Sequence, residues 1–278
     1  MTASTGADLD ELLVLATDIA REAGELIRSA RAAGVEVAET KSSATDIVTA
    51  ADQASEALIK RRILAARPDD GILGEEGSDQ DGTTGVRWIV DPIDGTVNYA
   101  HGLAQYAVSI GVEVDGEPAV GVVLSPAQDV EYTGVVGRGA WRNGVPIRAA
   151  EPVPLERALV GTGFSYQRDL RVSQARTFSA LLPQIADVRR FGSCALDLCA
   201  VAEGTLDAYV EEGIGGAWDY AAGRVIAHEA GARVEVLTGV FGRILVVAAP
   251  TPSYAGFRAL VGSCGFVRER EQAAPERG

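Results

Sequence analysis

The sequence predicts an α/β (α+β) protein in which helices cover and separate two β-sheets. Three observations support this fold class. Apolar residues recur at helical spacing over residues 9–27, short apolar runs separated by turn residues fill residues 86–147, and apolar runs alternate with helical segments after residue 151. Runs of both kinds in one chain predict a layered arrangement of helices on sheets.

Two helices are predicted near the amino terminus. The first spans at least residues 9–27, and Asp8 precedes it as an N-cap with Glu11 three residues on. The second follows Thr49, whose hydroxyl can cap it, and ends before Pro68.

An antiparallel meander is predicted for residues 86–147. Asp115-Gly116, Ser125-Pro126 and Asn143-Gly144 separate its apolar runs, and such pairs favour tight turns between strands. The predicted strands cover residues 88–90, 107–114, 119–124 and 130–136.

Strands and helices take turns in the second half of the sequence, which predicts a second layered sheet. The predicted strands cover residues 158–160, 206–210, 233–236 and 244–248. The predicted helices cover residues 171–186, 193–203, 218–231 and 252–263.

The chain has 278 residues, of which 47% are hydrophobic, and this is enough to bury a substantial core. No repeat or low-complexity linker divides it. We therefore expect one domain over residues 1–267, built from halves of about 1–150 and 151–267. The charged, proline-containing residues 268–278 are predicted to form a disordered tail.

A formal net charge of −14 disfavours attraction to nucleic acid or to an anionic membrane. A local basic patch would still permit a regulatory role with RNA. The longest apolar stretches, such as residues 244–250, are far shorter than the roughly 20 residues that span a bilayer. An acidic amino terminus does not resemble a secretory signal, and Cys194, Cys199 and Cys264 form no disulfide framework, so a reducing cytoplasm is expected.

The segment Asp91-Pro92-Ile93-Asp94-Gly95-Thr96 follows a predicted strand and delivers two carboxylates and a hydroxyl within six residues. Carboxylate oxygens are ligands for hard cations, and backbone N–H groups at a helix start can receive a phosphate. Read alone, the segment is equally typical of an acidic turn followed by a helix cap.

Three other acidic elements lie at predicted helix starts or strand ends. Residues 46–52 (DIVTAAD) open a helix, residues 74–76 (GEE) follow an apolar run, and residues 218–223 (WDYAAG) open a helix rich in small residues. Each alone is typical of an ordinary helix cap or solvated loop. Together they indicate carboxylates converging from separate parts of the chain.

These four motifs, in this order, resemble the inositol monophosphatase family. The likeness extends from about Lys41 to Gly231 and includes the preceding helix, so it covers most of the chain. The resemblance implies an αβαβα five-layered sandwich and a Mg²⁺-dependent, lithium-sensitive phosphatase. It also implies two or three ions per site and a homodimer.

The resemblance implies specific roles for the motif residues. The metal ligands would be Glu75, Asp91, the Ile93 carbonyl, Asp94 and Asp219. Thr96 and Asp52, beside Glu75, would orient and deprotonate the attacking water, and the amides of Gly95 and Thr96 would receive the phosphate.

Substrate contacts are likewise implied by the resemblance. They would come from Lys41, Asp94, Gly95, Thr96, Gly192, Ser193, Cys194, Glu211 and Asp219. One departure is an extra residue within Gly215-Gly216-Ala217, which leaves open whether Glu211 or Glu212 faces the substrate.

The expected substrate is a small phosphorylated polyol, foremost inositol monophosphate. Relatives within the family act on histidinol phosphate, fructose 1,6-bisphosphate or 3′-phosphoadenosine phosphates, and four arginines keep these alternatives open: Arg168, Arg171, Arg189 and Arg190. A regulatory binding protein without turnover is disfavoured because no motif carboxylate is missing. His228 is expected to be a helix residue rather than a metal ligand.

Overall fold

The computed structural model describes residues 7–35, 37–40 and 47–267. The helices are α1 (Leu9–Ala33), α2 (Ala50–Ala66), α3 (Thr96–His101), α4 (Arg168–Leu181), α5 (Cys194–Ala202), α6 (Ala217–Glu229) and α7 (Thr251–Ser263). The strands are β1 (Val37–Thr40), β2 (Ile47–Thr49), β3 (Gly71–Gly74), β4 (Val86–Asp94), β5 (Ala107–Val114), β6 (Glu117–Ser125), β7 (Val130–Val135), β8 (Gly139–Arg142), β9 (Val145–Pro146), β10 (Leu159–Thr162), β11 (Asp187–Arg189), β12 (Ala208–Ile214), β13 (Ala232–Thr238) and β14 (Ile244–Pro250). The predicted tail, residues 268–278, lies outside the described residues.

The two amino-terminal helices form the first layer. Asp8 caps α1 by accepting a hydrogen bond from the Asp10 amide at 2.9 Å. Its apolar stripe, which includes Leu12, Ile19 and Ile27, is buried against α2 and the first sheet. Burial of this stripe stabilises a helix that carries charged residues on its opposite face.

The first sheet has seven strands in the order β3-β4-β5-β6-β7-β8-β9. Strands β4 to β9 form the predicted antiparallel meander, and β3 adds to its edge in parallel with β4. Asp115 and Asn143 have φ angles of 54° and 49°, each followed by a glycine with positive φ. These are the left-handed turns that match the twist of a hairpin, so the turn predictions at both pairs are confirmed.

The second sheet has five strands in the order β11-β10-β12-β14-β13. Strand β10 is parallel to both β11 and β12, whereas β14 is antiparallel to β12 and β13. The sequence did not predict β11, which has three residues. It predicted a strand over residues 206–210, which ends four residues before the observed end of β12. The observed β12 continues through Glu211 and Glu212 to Ile214, which brings both glutamates onto the sheet.

Helices α5 and α6 lie between the two sheets, and α4 and α7 cover the outer face of the second. The order helix, sheet, helix, sheet, helix confirms the αβαβα prediction. Small residues let α6 pack closely on the first sheet: a Cβ at Gly121 would lie 2.3 Å from the Ala222 carbonyl oxygen. Within the described ranges no helix has both the length and the apolar character to span a bilayer.

Candidate active site

The end of β4 carries two buried carboxylates. Its pairing with β5 shifts register between Asp91 and Asp94, across Pro92, which has no N–H to donate to the ladder. Asp91 is 1% exposed and Asp94 is 6% exposed, and the Ile93 amide donates to Asp91 Oδ1 at 3.0 Å. The irregular strand end therefore places both carboxylates in one small volume.

Gly95 turns the chain from β4 into α3. Its φ of 94° is in the left-handed region, and an added Cβ would lie 2.8 Å from the Gln105 carbonyl oxygen. Both conditions require glycine. The turn brings Thr96 back over the strand end, where its hydroxyl lies 2.9 Å from both Asp52 Oδ1 and the Ile93 carbonyl oxygen.

Asp52 combines a structural contact with a contact in the site. Its Oδ2 accepts hydrogen bonds from the amide and the hydroxyl of Thr49, which completes a capping box for α2. Its Oδ1 accepts the bond from Thr96. Burial raises the pKa of Asp52, against the opposing effect of the bonds from Thr49 and Thr96.

Asp219 reaches the same volume from the first turn of α6. Carboxylate oxygens of Asp91, Asp94 and Asp219 lie within 4.8 Å of one another. Oδ2 of Asp219 also accepts a hydrogen bond from the Gly216 amide at 2.8 Å. Asp219 therefore both caps the start of α6 and belongs to the acidic cluster.

Glu75 joins the cluster from the loop after β3. Its amide donates to the Val90 carbonyl oxygen at 3.2 Å, which ties the loop to β4. Its carboxyl group lines the cleft and hydrogen-bonds with Asp91, and this bond contributes to the raised pKa of Asp91.

The electrostatics of the cluster favour a bound cation. Burial, followed by the charges of Glu75, Asp94 and Asp219, raises the pKa of Asp91 well above its usual value. Burial is also the largest cause that raises the pKa of Asp94 and that of Asp219 to about 7. Buried carboxylates this close repel one another, and a divalent cation between them would offset both the burial and the repulsion. An all-oxygen donor set fits such an ion.

The start of α5 supports the cluster from the second half of the chain. The Ser193 hydroxyl donates to Asp94 Oδ2 at 2.6 Å, and the Ala195 amide donates to the same oxygen at 2.7 Å. Ser193 is 1% exposed and also caps α5 through the Leu196 amide. Gly192 and Cys194 line the cleft, and the predicted contact of Ser193 with the substrate alcohol stays a prediction.

The two adjacent glutamates of β12 point to opposite sides. Glu211 lines the cleft and accepts a hydrogen bond from the Tyr209 hydroxyl at 2.7 Å. Glu212 is 3% exposed and accepts the Phe241 amide at 2.8 Å, which fixes the turn between β13 and β14. Of the two glutamates, Glu211 faces the site.

A cleft of about 390 Å³ joins these groups, a volume typical of sites for small ligands. The segment 164–167, Arg190, Trp218 and Arg243 also line it. A larger groove of about 1050 Å³ between α1 and strands β6 to β8 lacks this convergence of buried carboxylates.

Lys41, predicted to contact the substrate, and Asp46 lie outside the described residues. His228 lies in the last turn of α6, which confirms that it is a helix residue, and its side chain is exposed.

Sequence reasoning missed several supporting residues. The side-chain amide of Asn98 donates from Nδ2 to the carbonyl oxygens of Gln105 and Phe191, both at 2.7 Å, and so ties α3 to the segment before α5. Glu56 holds the loop that carries Glu75. The spacing of Glu56 four residues after Asp52, on one helix face, was an available signal. Asn98 had none, because its partners are distant backbone atoms.

Comparisons with known proteins agree with this geometry. A sequence profile of the Inositol monophosphatase family matches residues 8–261. The Inositol-1-monophosphatase SuhB of Mycobacterium tuberculosis is 42% identical over 257 residues, covering 85% of this chain and 88% of the relative. Inositol monophosphatase 1 of Solanum lycopersicum is 42% identical over 233 residues, covering 80% of this chain and 83% of the relative.

A solved structure shows the same fold. The crystal structure of extragenic suppressor protein suhB from Bartonella henselae aligns with a TM-score of 0.83 and 30% sequence identity. The alignment covers 90% of this chain and 98% of that chain. The chain thus belongs to the inositol monophosphatase family, whose members are metal-dependent phosphatases, and it is a phosphoric monoester hydrolase.

Proposed function

We propose that this protein hydrolyses inositol monophosphate to inositol and inorganic phosphate. The observation that carries the proposal is the convergence of Glu75, Asp91, Asp94 and Asp219 in a cleft of about 390 Å³. The relatives from M. tuberculosis and S. lycopersicum, which are named as inositol monophosphatases, support this substrate over histidinol phosphate, fructose bisphosphate or phosphoadenosine phosphates.

The proposed cofactor is Mg²⁺, with two or three ions per site. Its ligands would be Glu75, Asp91, the Ile93 carbonyl oxygen, Asp94 and Asp219. Carboxylate and carbonyl oxygens are the ligands that Mg²⁺ prefers, and the crowding of acidic groups supports more than one positive ion. Bound Mg²⁺ supplies positive charge that lowers the pKa of a water and stabilises charge on the leaving oxygen.

Thr96 and Asp52 would prepare the attacking water. The Thr96 hydroxyl donates its proton within the protein, since Asp52 Oδ1 and the Ile93 carbonyl oxygen both lie 2.9 Å from it. The lone pairs of the Thr96 oxygen remain able to accept a proton from the water. As that proton arrives, the hydroxyl proton of Thr96 can pass to Asp52. The water oxygen then forms a bond to phosphorus while the bond from phosphorus to the ester oxygen breaks, and the leaving oxygen takes up a proton from solvent water.

The remaining cleft residues would bind the two parts of the substrate. The amides of Gly95 and Thr96 would receive the phosphate, and Lys41 is proposed near the same end. Asp94, Gly192, Cys194, Glu211 and Asp219 would surround the polyol. The carboxylate of Glu211 is suited to accept bonds from ring hydroxyls, because it is half-buried in the cleft and oriented by Tyr209.

Three further properties are proposed from the family likeness and the cysteines. Li⁺ should inhibit, since it would compete at a site of hard oxygen ligands. The protein should form a homodimer. Cys194, Cys199 and Cys264 are buried and free, which supports function in a reducing cytoplasm.

The test is phosphate release from a panel of inositol monophosphate, histidinol phosphate, fructose 1,6-bisphosphate and 3′-phosphoadenosine phosphate, with Mg²⁺ or with EDTA. We expect the highest kcat/KM with inositol monophosphate, dependence on Mg²⁺, and inhibition by Li⁺. The variant Asp94→Asn should be folded and inactive. A higher kcat/KM for another member of the panel, or activity that persists in EDTA, would overturn the proposal.

A further inference from the structure

Glu56 of α2 is a buried acidic residue that does not line the cleft but holds the loop that carries Glu75. It is 4% exposed. Its Oε2 accepts the Glu76 amide at 2.8 Å, and its Oε1 accepts the Ser78 amide at 2.9 Å. Each oxygen of one carboxylate thus binds one amide of the loop that follows β3.

The loop backbone passes directly over this carboxylate. A Cβ at Gly74 would lie 2.8 Å from both Cδ and Oε1 of Glu56. The Gly74 amide donates to Asp79 Oδ1 at 3.2 Å, so the loop is also held from its own far side. Glu75 lies between the two residues that these contacts fix, Gly74 and Glu76.

The same helix contacts the other half of the acidic cluster. Asp52 accepts the Thr96 hydroxyl, and the Ser55 hydroxyl lies 3.4 Å from the Pro92 carbonyl oxygen. Asp52, Ser55 and Glu56 occupy one face because residues three and four apart on a helix are neighbours. Helix α2 therefore sets the spacing between the Glu75 loop and the segment from Asp91 to Thr96.

We propose that Glu56 is a positioning residue that holds Glu75 beside Asp91 and thereby sets the affinity of the site for Mg²⁺. This inference rests on the metal use proposed above. A carboxylate accepts on both oxygens, which two amide donors require. Glutamine would direct an NH₂ group at one of them, and aspartate is one methylene too short to hold both amides.

The test measures Mg²⁺ binding to the metal-free full-length protein by calorimetry, with Mg²⁺ alone as the probe. We expect Glu56→Gln to weaken Mg²⁺ binding by about 10- to 100-fold, as for other groups that orient metal ligands. Glu56→Asp should fall between this variant and the wild type. If Glu56→Gln does not fold, Gly74→Ala provides the second variant. Its Cβ would lie 2.2 Å from Ser78 Oγ and 2.8 Å from Glu56 Oε1, so it would displace both side chains of this loop contact and weaken Mg²⁺ binding in the same direction.

The matched control is Asp70→Asn, which alters a buried carboxylate immediately before β3 that contacts Arg67, Thr84 and Trp88. It should lower the melting temperature and leave the Mg²⁺ dissociation constant within about twofold of the wild type. Unchanged Mg²⁺ affinity in Glu56→Gln or in folded Gly74→Ala would overturn the positioning role. So would an equal loss in Asp70→Asn, since the effect would then be general destabilisation. A wild-type protein that binds no Mg²⁺ would instead overturn the proposed function.

Discussion

Asp70 and Asp91 are equally buried, each 1% exposed, yet their surroundings are opposite. Burial alone raises the pKa of Asp70, but bonds from Arg67, Thr84 and Trp88 outweigh it and lower that pKa. Burial raises the pKa of Asp91, and Glu75, Asp94 and Asp219 raise it further. Asp70 is stabilised by a cation and two other hydrogen-bond donors, whereas Asp91 lies among groups of like charge.

The difference distinguishes a structural carboxylate from a metal-binding one. Asp70 stabilises the start of β3 through bonds that folding itself completes. The like charges around Asp91 raise its pKa, and a positive charge from outside the chain would favour its ionised form. Burial alone identifies neither role, whereas the identity of the neighbours does.

The largest expected effect is that of Asp91→Asn. Phosphate release should fall by about 1000-fold or more, because lost charge stabilisation costs tenfold in rate for about every 1.4 kcal/mol. The melting temperature of the metal-free protein should rise, because asparagine removes the cost of burying a carboxyl group beside Glu75, Asp94 and Asp219. Steady-state kinetics and thermal unfolding in EDTA provide the two measurements. Near-normal turnover would remove Asp91 from the metal site.

The corresponding change at the structural carboxylate, Asp70→Asn, should act on stability. We expect a loss of about 2 kcal/mol in the free energy of unfolding, because asparagine weakens a charged bond to Arg67 and cannot accept all three donors. Turnover at saturating Mg²⁺ should remain close to that of the wild type. Urea unfolding and kcat together check this, and a large fall in kcat with unchanged stability would reverse the two roles.

The functional carboxylates were more predictable from the sequence than their supports. Asp91, Asp94 and Thr96 occur within one short segment after an apolar strand, so their proximity follows from local geometry. Asp219 required the additional information of a matching motif. The antiparallel meander within the seven-stranded sheet was predictable because apolar runs and glycine turns are local signals.

The remainder depended on contacts between distant parts of the chain. Strand β11 has three residues at a sheet edge, too few to show a hydrophobic alternation. The roles of Glu211 and Glu212 differ only because β12 exposes alternate sides, one towards the cleft and one towards the turn at Phe241. The sequence of two adjacent glutamates carries no such distinction.

The comparison also predicts opposite pH dependences for the two kinds of carboxylate. Asp94 and Asp219 have folded-state pKa values of about 7, against a usual value of 3.8, so the folded metal-free protein binds more protons than the unfolded chain between these limits. Its stability should therefore fall as pH rises from about 4 to 7. The lowered pKa of Asp70 contributes stability that is lost only as pH falls below its usual range.

Thermal unfolding in EDTA at pH 5 and pH 8 checks this dependence. The melting temperature should be higher at pH 5 by about 3 °C or more, since 1 kcal/mol corresponds to roughly 2–4 °C for a chain of this size. Saturating Mg²⁺ should reduce the difference, because a bound cation favours the ionised carboxylates. A metal-free protein that becomes more stable from pH 5 to pH 8 would contradict the electrostatic account of the cluster.

The smallest expected effects separate Glu211 from Glu212. Glu211→Gln should change the ratio of KM values between inositol monophosphate and a simpler polyol phosphate by about fivefold, as expected for one weakened charged hydrogen bond. Glu212→Gln should lower stability and leave that ratio unchanged, because its carboxylate binds the Phe241 amide. A uniform loss of activity on both substrates in Glu211→Gln would rule out its role in substrate choice.

The central claim is that the four converging carboxylates form the metal site, and anomalous diffraction from crystals containing Mn²⁺ tests it most directly. We expect Mn²⁺ density among Asp91, Asp94 and Asp219, with Glu75 on one of the ions, and loss of that density in Asp91→Asn. Strong Mn²⁺ density elsewhere in the protein, with none among these carboxylates, would contradict the account.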